Sequence, residues 1–399
     1  MIPCILSLVL FPFLVVSTRV QHLLVASYKP PESALGSVQT LGFDKNARYH
    51  RKPNSLSILH STDRCGRQPT WLDSSLRNNT VACLDEDGPG AINMFSIRPD
   101  GSLNELSSAQ VLGSPVSIAK YRFGSAVALA HYDPPAITTY NLRDDGSFSS
   151  LQNITFESPG DNSSALSVSH IHQAVLDPTG QYLVFPDLGA DMVRVFCIDN
   201  KNGMIRQEAP LHSKLGSGPR HATFWSSEDR TYLLVIHELS NIIVSYRVEY
   251  LTKGGLKFSE IMETTTFGDR DIPEGASAAE LMISPDKRFV LASNRNDSSF
   301  EIANPDRRNS TKLPSDSIST FKIAADGRLQ FIQLAPSGGV FPRHFNMNND
   351  GSLIAVANQL TQNVVVYHRD IGTGKIGAKV AATSQLLEGL PTYVQWIRE

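Results

Sequence analysis

Short apolar runs recur along this chain at intervals that suit strands. The clearest are Val81-Ala-Cys-Leu, Val127-Ala-Leu-Ala, Leu183-Val-Phe, Leu233-Leu-Val-Ile, Phe289-Val-Leu-Ala and Ile354-Ala-Val-Ala. Unbroken apolarity over so few residues, bounded by turn residues, marks a strand buried on both faces. An alternating segment follows most of them, as in Ile92-Asn-Met-Phe-Ser-Ile, Ile137-Thr-Thr-Tyr-Asn-Leu and Ile318-Ser-Thr-Phe-Lys-Ile. Tight turns come next at Asp100-Gly101, Asp145-Gly146, Asn202-Gly203, Gly254-Gly255 and Asp326-Gly327, where glycine supplies the positive φ of a short hairpin. A further, outer strand then returns the chain.

The unit repeats. Four copies are plain: His172-Gln-Ala-Val-Leu-Asp-Pro-Thr-Gly, Arg220-His-Ala-Thr-Phe-Trp, Ala279-Glu-Leu-Met-Ile-Ser-Pro-Asp-Lys and Arg343-His-Phe-Asn-Met-Asn-Asn-Asp-Gly. Weaker copies start at Thr70, Val116 and Thr392. Strand-built repeats of this length predict an all-β, seven-bladed β-propeller. Innermost strands are expected at 71–73, 117–121, 173–176, 221–224, 280–283, 344–347 and 393–397. The seventh second strand is His22-Leu-Leu-Val-Ala-Ser-Tyr, far from its partner Thr392-Tyr-Val-Gln-Trp-Ile. The two ends of the chain are therefore expected to share one blade, which closes the ring and removes exposed sheet edges.

This arrangement gathers polar residues. First and second strands run antiparallel, so starts of the former and ends of the latter meet at one rim. The starts bring His172, Arg220 and Arg343, then one residue on His221, Glu280 and His344. The ends bring Tyr28, Glu86, Tyr132, Asp187, Glu238, Arg295 and Gln359. Wet propeller channels are polar without catalysis, and Glu86 and Asp187 are also suited to capping turns or pairing with arginine. Three converging arginines nevertheless suit bidentate binding of a small anion, with His and Glu at hand to move protons.

Other chemistries fit less well. The chain has 399 residues and a net charge of −3, which gives no general pull toward nucleic acid or anionic membrane. The basic stretch from Lys45 to Lys52 reads as a solvated loop. No Gly-rich phosphate loop, Gly-x-Ser-x-Gly elbow or His-Glu-x-x-His is present. His170 and His172 share a strand face as a metal pair would, but no third ligand at matched depth is evident, and no cofactor is called for.

Met1 to Val16 is apolar and uncharged, followed by Ser17, Thr18 and Arg19. It reads as a secretory signal over residues 1–18, ahead of a propeller domain over 19–399, with a buried first strand as the alternative. On this reading the mature protein is secreted and has no membrane span. Asn78, Asn153, Asn162, Asn296 and Asn309 head Asn-x-Ser/Thr sequons in loop-like sequence and are the glycosylation candidates. With Cys4 removed, Cys65 and Cys83 flank one strand pair and are the disulfide candidates, whereas Cys197 reads as a small buried hydrophobe.

The segments His172 to Gly180, Pro186-Asp-Leu-Gly-Ala-Asp191, Gly216-Ser-Gly-Pro-Arg-His221, Ser293-Asn-Arg295 and Gly338-Gly-Val-Phe-Pro-Arg-His344 carry a resemblance. The chain resembles the seven-bladed lactonase family, which includes bacterial 6-phosphogluconolactonases and fungal carboxy-cis,cis-muconate cyclases, and looks nearer the cyclase branch. The resemblance implies a metal-independent enzyme that closes or opens a lactone, with a small carboxylate or lactone as partner. It would place the catalytic positions on His172, Arg220, Glu238 and Arg295. His221, Glu280, Arg343, His344 and Gln359 are then expected to bind substrate. One departure is His170-Ile-His172, where relatives usually carry His-Pro-His. On this basis the expected activity is that of a cyclase, with lactone hydrolysis or non-catalytic ligand binding as alternatives.

Overall fold

The computed structural model describes residues 20–30, 35–44, 56–156, 168–304, 308–385 and 389–397. The expected leader with Cys4, the stretch Lys45–Lys52 and Asn162 lie outside them. Seven antiparallel sheets surround one axis, each a blade. Blade 1 holds Gln21–Tyr28, Ser37–Phe43 and Ser57–Thr62, with Leu390–Trp396 as its innermost strand. Blades 2 to 7 follow along the chain, beginning at Pro69, Pro115, Ile171, Pro219, Ser277 and Pro342. The expected ring closure is present: Leu23 pairs with Trp396 and Val25 with Val394. Among the described residues no helix is long and apolar enough to cross a membrane.

Burial follows the sequence pattern. Leu233–Ile236 and Ile354–Ala357, second strands of blades 5 and 7, are wholly inaccessible. The outer strand Ser57–Thr62 alternates exposed and partly buried positions, as a strand with one solvated face must. Apolar side chains from adjacent blades interdigitate in seven cores, one of them joining blade 7 to blade 1 through Ala355, Val364, Leu23 and Val394. Each fully buried Leu, Val or Ile contributes about 1.5–3 kcal/mol. Outer hairpins lock onto the preceding blade: Ser245 donates to the Gly327 carbonyl at 2.8 Å. Gly327 has φ +84°, and a Cβ there would lie 2.4 Å from the Tyr232 ring, so only glycine fits this turn.

One local device positions the site. The innermost strands of blades 2, 3, 5 and 7 begin Pro69-Thr-Trp, Pro115-Val-Ser, Pro219-Arg-His and Pro342-Arg-His, and pairing slips by one residue inside each triplet. Such β-bulges set two residues opposite one. Consecutive strand residues normally face opposite sides, and the bulge is what lets Arg220 and His221 both approach the axis. Proline is tolerated at these starts because the innermost strand is a sheet edge with no partner on the axis side.

Three local readings differ from the sequence expectation. The innermost strand of blade 4 is reduced to Val175–Leu176, and beside it the Gln173 side chain accepts the Ala222 N–H of blade 5 at 2.7 Å. A hairpin, Phe300–Ile302 with Leu313–Ser315, is inserted between the second and third strands of blade 6. Cys197 is partly exposed rather than buried, on the third strand of blade 4 opposite Arg206 of the short outer strand Ile205–Gln207. Cys65 and Cys83 form a disulfide with Cα atoms 5.9 Å apart.

Candidate active site

Glu238, just past the second strand of blade 5, is the centre of the rim cluster. Its Oε2 lies 2.9 Å from Arg220 Nε and 2.8 Å from an Arg295 terminal nitrogen. Both arginines are nearly buried and anchored by backbone carbonyls, Arg220 on Ala279 at 2.7 Å and Arg295 on Ala278 at 3.1 Å. Phe341 packs its ring face 4.9 Å from the Arg295 guanidinium. Burial opposes the charge on Glu238, yet Arg295 and Arg220 hold its carboxyl below the usual range. Burial and the neighbouring Arg295 bring Arg220 down to about 9 despite the carboxylate, so it remains a cation at neutral pH.

Arg343 stands over the Tyr28 ring at 5.3 Å, and the Tyr28 hydroxyl donates to Glu86 at 2.6 Å. Glu86 thus anchors the aromatic wall behind Arg343. His172, 7 % exposed, is edge-on to Tyr132, whose ring stacks on His170 at 4.2 Å. The two histidines of His170-Ile-His172 have different partners: His170 bonds the Tyr132 carbonyl at 3.0 Å and His172 bonds His221 at 3.2 Å. Among the described residues no group of three or more His, Cys, Asp or Glu side chains is placed to hold a metal ion.

His221, Glu280 and His344, expected as substrate contacts, are sunk beneath this layer, each no more than 3 % exposed. His221 Nδ1 is 3.1 Å from Glu280 Oε1, and His344 Nε2 is 3.2 Å from Glu280 Oε2. Burial disfavours charge on all three. It lowers His221 and brings His344 to about 4, while the imidazoles beside Glu280 overcome its burial and hold the carboxyl at about 2. Trp71 and Tyr393 complete the layer, with Tyr393 stacked on His344 at 3.6 Å. Neither aromatic stood out in the sequence. Both follow the polar start of a weak repeat, Thr70 and Thr392, in register with His221 and His344. That alignment was the signal that could have found them. A cavity of about 680 Å³ reaches this layer from the opposite face, past Phe224, Trp225 and Met282.

The rim loops are pinned by buried carboxylates. Asp187 is inaccessible and binds Arg194 at 2.8 Å, which assigns it to structure. Asp316 accepts backbone N–H groups from Asn296, Asp297, Ser298 and Phe341, holding the start of the blade 6 insertion against Arg295. Gln359 is buried and tied to the Phe341 carbonyl by its own N–H at 2.8 Å.

The sequence profile of the family described as "Lactonase, 7-bladed beta-propeller" matches residues 15–394. The chain belongs to the seven-bladed lactonase family. A probable 6-phosphogluconolactonase from Arthroderma benhamiae is 28 % identical over 336 residues, covering 82 % of this chain and 80 % of the relative. The 6-phosphogluconolactonase of Bacillus subtilis is 25 % identical over 312 residues, covering 77 % and 82 %. A solved periplasmic gluconolactonase from Pseudomonas aeruginosa superimposes on this lactonase-family propeller with a TM-score of 0.77 at 24 % identity, covering 95 % of this chain and 99 % of that one. The last likeness speaks to the fold alone.

Proposed function

We propose that the propeller hydrolyses a small lactone at this rim, using side chains alone. The observation that carries the reading is Glu238 bridging Arg220 and Arg295, with Arg220 also within 3.3 Å of the His221 ring that His172 bonds. The lactone carbonyl oxygen would lie against the two guanidiniums, which are already oriented and already partly desolvated. Negative charge forming on that oxygen is then met by fixed cations, the preorganised stabilisation expected of an oxyanion site. His172 Nε2 takes a proton from water as its oxygen bonds to the carbonyl carbon. The tetrahedral adduct collapses with cleavage of the ring C–O bond, and the imidazolium returns the proton to the departing alkoxide. Water is consumed and one hydroxy acid leaves. Glu238 is the weaker candidate for the base because two arginines occupy its Oε2; burial and the same cations also hold His172 well below the usual imidazole range, which keeps its ring neutral and able to accept a proton. Arg343, not bridged by Glu238, is placed to hold an anionic group of the substrate, and the relatives' names make a 6-phospho-aldonolactone the first one to try.

The cyclase reading becomes the second one. It uses the same groups, with Arg220 and Arg295 stabilising the enolate formed when one carboxylate adds to a conjugated double bond. What supports it is the sequence resemblance to the cyclase branch of the family. Purified protein is assayed on 6-phosphogluconolactone, glucono-δ-lactone and carboxy-cis,cis-muconate against the spontaneous rate. Accelerated ring opening supports hydrolysis, and accelerated loss of muconate absorbance supports cyclisation. No acceleration of any, with tight binding of a protein or glycan, would make the rim a binding surface instead. Export belongs to the same proposal. It is supported by the disulfide, which suits an oxidising compartment, and by the exposure of Asn78, Asn153, Asn296 and Asn309.

A further inference from the structure

The buried layer beneath the arginines has a defined proton arrangement, and it bears on the histidine that faces the site. A carboxylate only accepts hydrogen bonds. Glu280 Oε1 accepts from His221 Nδ1 at 3.1 Å and from the Leu281 N–H at 2.9 Å, so the His221 proton is on Nδ1. His344 Nδ1 accepts the Val394 N–H at 3.3 Å, which puts its proton on Nε2, facing Glu280 Oε2. Burial keeps both rings neutral. His221 Nε2 is therefore a lone pair. It lies 3.2 Å from His172 Nδ1 and 3.3 Å from the Arg220 terminal nitrogen. Two facing lone pairs would repel, so His172 carries its proton on Nδ1 and donates to His221. The remaining nitrogen, His172 Nε2, keeps its lone pair.

We infer that Glu280 is a positioning residue that acts through His221 to fix the tautomer of His172, making Nε2 the basic atom at the rim. The inference rests on His172 being the base in the proposed reaction. Glu280 touches no substrate in this scheme; it sets the direction of a two-imidazole chain. His344, braced by Tyr393 and by the Val394 N–H, occupies the second oxygen of Glu280 and keeps the first aimed at His221. This also explains three buried polar residues that the arginine chemistry leaves unused.

Replacing Glu280 by Gln preserves shape but presents an amide that both donates and accepts. His221 is then free to take the other tautomer, which turns His172 around and leaves Nε2 protonated. The first experiment uses the full protein labelled with ¹⁵N-histidine. In the parent, His172 should show a pyrrole-type Nδ1 and a pyridine-type Nε2, and in Glu280→Gln this pattern should invert or average. The second experiment compares turnover on whichever lactone the parent accepts. Glu280→Gln should lower kcat by roughly 10²–10⁴, the range a general base contributes, with KM near the parent value. His221→Gln, which breaks the chain while leaving the carboxylate, should show the same loss, so a folding failure of one variant leaves the other decisive. A protonated His172 Nε2 in the parent overturns the inference. So does parental kcat in a folded Glu280→Gln or His221→Gln. Absence of activity in the parent would strike the lactonase reading while the ¹⁵N spectrum still tested the tautomer.

Discussion

Glu238 and Glu280 sit on neighbouring blades near the axis, and each carboxylate is shared between two partners. Glu238, partly open to solvent, takes two arginines. Glu280, 3 % exposed, takes two histidines. The upper layer is made of permanent charge and keeps spare N–H groups for an incoming anion. The lower layer is made of neutral rings whose protons are held in place by one buried charge. The difference teaches that depth selects the partner. A second pair of cations under the first would add repulsion in a region with little water to screen it, whereas imidazoles pair with a buried carboxylate without net charge, His221 through a hydrogen bond and His344 through a 3.2 Å contact.

The comparison breaks most completely if both layers lose their frame. Removing residues 390–399 deletes the innermost strand of blade 1, the Tyr393 ring and the Val394 N–H bound to His344. No soluble, cooperatively melting protein is expected, and a truncation with a parental melting curve would refute the closure. Next in size is the upper layer alone. Arg220→Ala should cost about 10²–10³ in kcat, the usual loss of one oxyanion donor. The burial of Arg220 adds a loss of a few degrees in Tm. Near-parental turnover would show that the bridged arginines do not meet the transition state.

Acid then separates the layers. A neutral buried histidine with a lowered folded-state pKa loses stability as pH falls, because the unfolded chain takes up the proton first. For His344, brought to about 4 from 6.5, the window runs from about pH 6.5 down to about pH 4, and amounts to something on the order of 3 kcal/mol. Glu280, held at about 2, contributes stability that is full above the ordinary carboxylate pKa and is lost only below it, as pH falls toward 2. Glu238 is lowered in the same direction. Tm should therefore start to fall near pH 6.5, before Glu280 or Glu238 protonates, against an opposing gain from Asp297, whose carboxyl burial raises to about 7. His131 and His237 are also lowered to about 4 and share the fall, so His344→Gln should make this part of the curve shallower. Parallel Tm profiles of the parent and His344→Gln from pH 7 to pH 4 would contradict a neutral His344 in the lower layer. The smallest effect lies outside both layers: Asn78→Gln or Asn309→Gln should shift the electrophoretic mass of protein secreted from a eukaryotic host, with kcat/KM unchanged.

The seven blades and the ring closure were legible because the second strands are short unbroken apolar runs, the third strands alternate, and the turns carry Asp-Gly and Asn-Gly signals. Arg220, Glu238 and Arg295 were legible as neighbours once the repeats were superimposed, since an antiparallel pair brings its ends together whatever the side chains. Their depth was not legible. Arg220 and His221 are adjacent in sequence, and only the bulge after Pro219 shows that both turn inward, one above the other. Glu280 and His344 looked like further rim residues for the same reason. The blade 6 hairpin was hidden because Phe300–Ile302 and Leu313–Ser315 are too short to show a period.

The shared blade has a practical side. Tyr28 and Leu390 pair at the rim, so Gln21 and Trp396 lie at the far end of their strands, and Ile397 bonds back to the His22 carbonyl at 2.9 Å. A fluorophore or resin joined beside Gln21 or Ile397 would leave from the face behind the disc, and a preparation immobilised there should keep its mouth turned toward the bulk solution.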